Sequence, residues 1–204
     1  MKIDPKDLDY EDVYRLFMGA IVPRPIALVS TIGADGVFNL APFSAFTTAS
    51  LKPSLIQINI GWKKDGQKKD TLVNIEFSKD FVVNVVNEAL AEAMNQSSAE
   101  YPPNVDEFKE VGLTPVKADI VKAPMVAESP VNMECQLVQT LEFGDLPRRS
   151  SVVIGEVVRL HIKDELYVNG EIQMFELRVV GRLGGGLYCR TTDIFELERL
   201  QVSP

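Results

Sequence analysis

The sequence predicts a mainly β fold, an antiparallel barrel with a few peripheral helices, on three observations. Apolar and polar residues alternate with a period of two, most cleanly over 131–141. There Val131, Met133, Cys135, Leu137 and Leu141 alternate with Asn132, Glu134, Gln136 and Thr140. Strand-like runs occupy both ends of the chain, and helical patterns are confined to the lead-in and the middle. The order strand, GxGxxG, helix, later acid, which a doubly wound nucleotide-binding half needs, is missing; Gly184-Gly185-Gly186 lies between strands near the far end.

Residues 1–20 read as a short, partly helical lead-in with Tyr14, Phe17 and Met18 as its apolar contacts. Residues 25–31 form a continuous apolar run, as expected of a strand covered on both faces. Gly33-Ala34-Asp35-Gly36 supplies turn residues for a hairpin into 37–41. Residues 55–60 form a strand with Ile56, Ile58 and Ile60 on one face, punctuated by Pro53 and Gly61. A helix is expected over 71–77, with Asp70 or Thr71 as N-cap and Leu72, Val73 and Ile75 as its apolar stripe. Residues 81–86 make another strand, and Asn87 caps a helix over 88–95 in which Leu90 and Met94 are four apart. After Tyr101-Pro102-Pro103, a short helix covers 104–111, with Asn104 and Glu107 spaced as a capping box. Residues 151–162 alternate with Ile154, Val158, Leu160 and Ile162 on one face, and strands at 179–183 and 187–190 flank the triple glycine. No repeat or linker divides the 204 residues, so a single domain is expected.

The composition, 46% hydrophobic and 25% charged, supplies both a core and a polar surface. A net charge of −8 disfavours a nucleic-acid partner and an anionic membrane surface, both of which need a basic face. No apolar run reaches bilayer length, and the acidic, polar N-terminus is unlike a signal peptide. Cys135 and Cys189 lack CxxC spacing, so a reduced cytoplasmic setting is the simplest reading, with one disulfide left open. His161 is the only histidine, which removes HExxH and multi-histidine zinc sites; there is also no GxxxxGK[ST] loop and no GxSxG elbow. The carboxylates are scattered and nominate no acid–base pair, so a bound organic cofactor is the natural source of reactivity.

Three segments could hold such a group. In Gly61–Thr71, four lysines within seven residues lead into a helix, whose N-terminal N–H groups attract anions. Lys68, Lys69, Asp70 and Thr71 would cradle a phosphate, with the acid as a cap; a solvated Lys-rich turn is the plainer alternative. In 39–50, Pro42 cannot donate to a ladder, so the strand bulges or lies at an edge. Backbone groups near Ala41, Phe43 and Ser44 could then read the polar edge of a flat heteroaromatic ring, or the segment is an irregular barrel corner. In 180–188, glycines permit close approach and Tyr188 could stack on a ring, or the segment is a flexible hairpin. His161 fits a structural or solvent-facing role rather than a catalytic one, Cys135 fits plain packing, and Trp62 suits a lid, an interface or a core equally.

Taken together, the chain resembles the flavin reductase-like FMN-binding split-barrel family, in its branch opening with Pro23-Arg24-Pro25-Ile26-Ala27-Leu28-Val29-Ser30-Thr31. Asn39-Leu40-Ala41-Pro42-Phe43-Ser44, residues 69–75, 81–87, 94–98 and 181–188 continue the match in order. The resemblance implies a split barrel, a homodimer with FMN near the subunit interface, and NADH or NADPH as hydride donor. It implies an isoalloxazine along Asn39 to Ser44, and Thr31 and the Lys69-Asp70-Thr71 turn near the ribityl phosphate, with Arg24 as a further contact. It also implies electrons passed on to an acceptor, such as a separate oxygenase or redox partner; a flavin carrier without its own nicotinamide turnover is the alternative. The long Lys-rich turn departs from the family pattern.

Overall fold

The structure is a computed structural model, and it describes residues 1–200. Its core is one seven-stranded antiparallel sheet in the order β2-β1-β5-β8-β9-β4-β3. The strands are β1 (Ala27–Ile32), β2 (Phe38–Phe43), β3 (Phe46–Leu51), β4 (Ser54–Gly61) and β5 (Asp80–Val85). Two-residue strands β6 (Pro115–Val116) and β7 (Met125–Val126) pair with each other, ahead of the long β8 (Val131–Phe143) and β9 (Ser150–Ile162). Small hairpins join β10 (Tyr167–Val168) to β11 (Glu171–Ile172) and β12 (Val180–Arg182) to β13 (Tyr188–Arg190). The helices are α1 (Tyr10–Ala20), α2 (Asp70–Ser78), α3 (Ala91–Gln96), α4 (Glu107–Glu110) and α5 (Met174–Leu177).

The sheet's two edges, β2 and β3, are consecutive in sequence and joined only by Ser44-Ala45. So short a link forces the sheet to curl until its edges approach, and Asn59 N–H donates to the Ala45 carbonyl at that seam (2.8 Å). The result is a barrel left open along one side, the fold class that the sequence predicts. Its interior holds Val29, Phe43, Ile58, Ile60, Phe81 and Val153, and Leu72 and Ile75 of α2 plug one end. A second core of Leu28, Leu40, Leu90, Met94 and Phe108 packs outside β1 and β2, beneath α3 and α4.

Several local expectations are corrected. α1 forms, but none of its residues is buried: Arg148 lies over Tyr10 and Arg24 holds the Met18 carbonyl, while Tyr14 and Phe17 are left exposed. β3 is a full strand where the sequence pattern, broken by Thr47-Thr48 and Ser50, gives no clean alternation. On α2 the buried residues are Thr71, Leu72 and Ile75, and Val73 faces outward. Asn87 does cap its helix, accepting from Leu90 N–H (3.2 Å), but the first turn is a 3-10 turn before α3. The expected face of β9 lies outside the barrel: Val158 and Ile162 pack against outer apolar clusters and Leu160 is 56% exposed, while the opposite face turns Val153 into the barrel. Bulges between Glu134/Cys135 and Leu137/Gln139 shift the pairing along the β8–β9 ladder. Cys135 and Cys189 are both free thiols.

Candidate functional site

β2 is an edge strand, as Pro42 requires, and Leu40 turns its N–H away from β1 to Glu107 Oε2. Backbone polar groups alternate in direction along a strand, so Asn39, Ala41 and Phe43 send theirs into the β1 ladder. The outward set is therefore Leu40, Pro42 and Ser44, so of the Ala41, Phe43 and Ser44 that the sequence reading named only Ser44 belongs to it. The Phe43 ring is buried in the barrel core, which leaves its neighbours Ala41 and Pro42 to shape the rim.

The start of α2 stands opposite that edge. Its N-cap position is Lys69, in an extended conformation and without a side-chain cap, rather than Asp70 or Thr71. The N–H groups of the first turn thus have no capping side chain. Asp70, inside the helix, instead binds Lys63 Nζ at 3.1 and 3.2 Å. Thr71 Oγ1 accepts from Asn39 Nδ2 at 3.2 Å, which locks the strand to the helix tip. Lys68, expected in the same cradle, turns away to Glu76 (2.7 Å) and Glu142 (3.3 Å). Lys69 forms no ion pair among the described residues and lines the cleft.

Edge and helix tip share one open cleft of about 140 Å3, bounded on a third side by Ser97 to Tyr101 after α3. Asn39, Ala41, Phe43, Lys69, Asp70 and Thr71 all border it. Thr31 is buried beneath, its Oγ1 accepting from Asn74 Nδ2 of α2 (3.0 Å). Arg24 and Ser44 lie beyond Pro42, in an adjoining recess with Arg182, Gly185 and Tyr188. The Arg24 guanidinium, 7% exposed, donates to Met18 O and Ile21 O (both 2.6 Å), Leu183 O (2.9 Å) and Ser44 Oγ (3.3 Å). Four of its five N–H donors are thus engaged by the protein, bracing the glycine hairpin and the end of α1. Tyr188 bonds Asn95 Oδ1 (3.3 Å), and the Arg182 guanidinium covers its ring at 4.4 Å.

The residue that sequence reasoning missed is Glu107. It is not the partner of Asn104 in a capping box; Asp106 is the N-cap of α4, accepting from Phe108 N–H (3.2 Å). Released from capping, the Glu107 side chain turns into the cleft wall, 9% exposed, and holds Leu40 N–H. Burial pushes its carboxyl up to about 7, with Asp70 and Asp106 adding to the rise and Leu40 N–H and Lys63 opposing it. Its surroundings, Asn104-Val105-Asp106-Glu107-Phe108, are mostly polar, so the sequence gives no sign that this acid is buried.

His161, as the sequence reading had it, has a structural partner: its Nε2 sits 2.6 Å from Glu134 Oε1. Glu134 is fully buried and also accepts from the N–H groups of Asp119 (3.0 Å), Ile120 (2.6 Å) and Val121 (2.9 Å). Burial opposes its ionisation, but these bonds outweigh it and hold the carboxyl down at about 2. Trp62 donates to Ser151 Oγ (2.9 Å) at the edge of the barrel core, the packing role among those open to it.

Against known proteins, a family model described as flavin reductase like domain matches residues 18–176. The chain belongs to the flavin reductase-like family. Among solved structures, this flavin reductase-like protein is similar to nitrilotriacetate monooxygenase component B from Bacillus cereus, with 34% identity and a TM-score of 0.93, covering 97% of this chain and 98% of that one. It is also similar to 2-nitrobenzoate 2-nitroreductase NbaA of Pseudomonas fluorescens, with 32% identity and a TM-score of 0.90 over 100% and 98% of the two chains. An uncharacterized protein of Halalkalibacterium halodurans is 39% identical over 100% of this chain and 98% of its own length. Family and neighbours support a flavin-related oxidoreductase. No helix among the described residues is long and apolar enough to cross a membrane.

Proposed function

We propose that this flavin reductase-like chain is one domain that holds FMN between β2 and α2, takes electrons from NADH or NADPH and passes them to a separate acceptor. One observation carries the reading: the proline-interrupted edge and the uncapped helix tip face a single cleft and are tied together by the Asn39–Thr71 bond. An edge strand with outward carbonyls at Leu40 and Pro42 suits the polar rim of a planar ring, and an uncapped helix start beside Lys69 suits a phosphate. When bound, the flavin supplies the redox chemistry, accepting hydride from the nicotinamide and releasing electrons to the acceptor.

The protein's own work is positional. Asn39 and Thr71 fix the spacing between ring site and phosphate site, and Lys69 with the first N–H groups of α2 neutralises the anionic tail. Thr31, through Asn74, holds α2 against β1. Arg24 keeps the glycine hairpin beside the rim, where Tyr188 and Gly185 leave room for a second planar group. Hydride transfer between two stacked rings requires no side-chain base, which accords with a sole histidine that is engaged by Glu134.

A homodimer is part of the proposal. α1 carries Tyr14, Leu16 and Phe17 exposed, and a second copy is the natural cover for a helix with no fully buried residue. The free thiols accord with a cytoplasmic setting, and the similarity to a monooxygenase component B makes an oxygenase a candidate acceptor.

The test is the visible absorption spectrum of freshly purified protein, followed by anaerobic titration with NADH and NADPH. Bound flavin that bleaches with one equivalent of nicotinamide supports the reading. Bound flavin that ignores both donors favours the carrier alternative, and a colourless protein that takes up no added FMN overturns the assignment of the cleft.

A further inference from the structure

Glu107 is a buried carboxyl with no assigned part in holding a flavin, yet it forms a wall of the cleft. It also borders the neighbouring recess lined by Gly33, Asp35 and Asn74, so it sits where the space between β2 and α2 continues behind Asn39. One carboxyl oxygen is fixed by Leu40 N–H. The charges around it come from every packed element: Asp106 from α4 itself, Lys69 and Asp70 from the tip of α2, and Lys63 from the turn before it. Glu100 and Tyr101 line the cleft from the segment after α3, and Asp35 comes from the β1–β2 turn. Lys63 is committed to Asp70, which leaves Lys69 as the one cation of the cleft for which an ionised Glu107 and an anionic tail would compete. An ionised Glu107 would put a second negative charge beside Asp70, facing the same small volume that an anionic tail must enter.

We propose that Glu107 is a specificity-determining residue, whose carboxyl admits a phosphorylated flavin when protonated and weakens its hold when ionised. The inference rests on the cleft being the flavin site. Its chemical content is discrimination between FMN and the same ring without phosphate, riboflavin, because only the former carries the charge that an ionised Glu107 repels. The carboxyl's elevation to about 7 places this change within the range of cytoplasmic pH. By linkage, binding of the anionic ligand raises proton occupancy at Glu107, so association above neutrality takes up protons.

The experiment compares the full-length protein with Glu107→Gln, which keeps an oxygen for Leu40 N–H and cannot ionise. Dissociation constants for FMN and riboflavin are measured by fluorescence quenching between about pH 6 and pH 8.5, a window centred on the ordinary range of such a shifted carboxyl. The expected result is that wild-type FMN affinity, relative to the variant, falls at least threefold across that window, while the same quotient for riboflavin stays level. The ionisation of the flavin phosphate near pH 6 cancels in the quotient. Identical pH profiles for FMN in the two proteins overturn the proposal while leaving the flavin site intact. If neither protein binds either flavin, the functional reading fails first. Should the variant not fold, calorimetry of wild type at about pH 8 in buffers of different ionisation enthalpy decides. Net proton uptake with FMN and none with riboflavin supports Glu107, and equal uptake with both, or none, refutes it.

Discussion

Asn39 Nδ2 donates to Thr71 Oγ1 across 3.2 Å, so an edge strand and a helix start 32 positions apart in the chain are held at fixed spacing on one cleft. Both side chains are buried, which makes the bond costly to leave unmade.

Lys69→Ala combined with Thr71→Ala is expected to weaken FMN binding at least tenfold, about 1.4 kcal/mol. The double change removes the cation beside the helix tip and the acceptor that positions Asn39. Fluorescence titration measures it, and unchanged affinity removes this turn from the phosphate site.

Arg24→Lys is expected to lower stability by about 2 kcal/mol, since one ammonium cannot reach three carbonyls and a hydroxyl that a planar guanidinium serves together. Limited proteolysis should detect earlier cleavage near Leu183, because the hairpin loses its anchor. A denaturation midpoint equal to wild type would contradict this bracing role.

Glu134→Gln is expected to cost about 3 kcal/mol at neutral pH, by unpairing a buried anion's network with His161 and three backbone N–H groups. The folded carboxyl titrates at about 2, below its ordinary 4.5, so its stabilisation is complete above 4.5 and is lost as pH falls toward 2. The gap between wild type and variant in urea melts should therefore narrow on acidification. A gap that stays constant from neutrality to about pH 3 is incompatible with this sign.

Gly155→Ala is expected to destabilise by about 2 kcal/mol. An added Cβ would stand 2.5 Å from Phe81 Cζ and 2.9 Å from Cε1, and Phe81 is wholly buried in the barrel, with no free space to yield. A thermal melt reads it, and a variant as stable as wild type would mean the Phe81 ring has room to move.

The strands and most helices were legible because burial on a pleated surface leaves a period of two, and α2 and the 3-10 turn at Asn87 carry local signals. β3 was not, since its Thr and Ser residues lack contrast between faces. Which face of β9 enters the barrel was not legible because both faces carry apolar residues, and the choice depends on pairing with β4 and β8. At the site, Pro42 announced an edge, but which neighbours point outward depended on the Leu40–Glu107 bond, and Glu107 carried no mark beyond its charge.

The chain's own order of residues determined a β-rich antiparallel fold, a proline-broken edge, a lysine-flanked helix start and a shortage of side-chain catalysts. Only the folded molecule decided that edge and helix start face one another, that Lys68 turns away while Lys69 does not, and that Glu107 enters the wall between them. Periodicity and turn chemistry are properties of neighbours in sequence. Proximity across the cleft and the desolvation of a carboxyl belong to segments that meet only when the sheet curls shut.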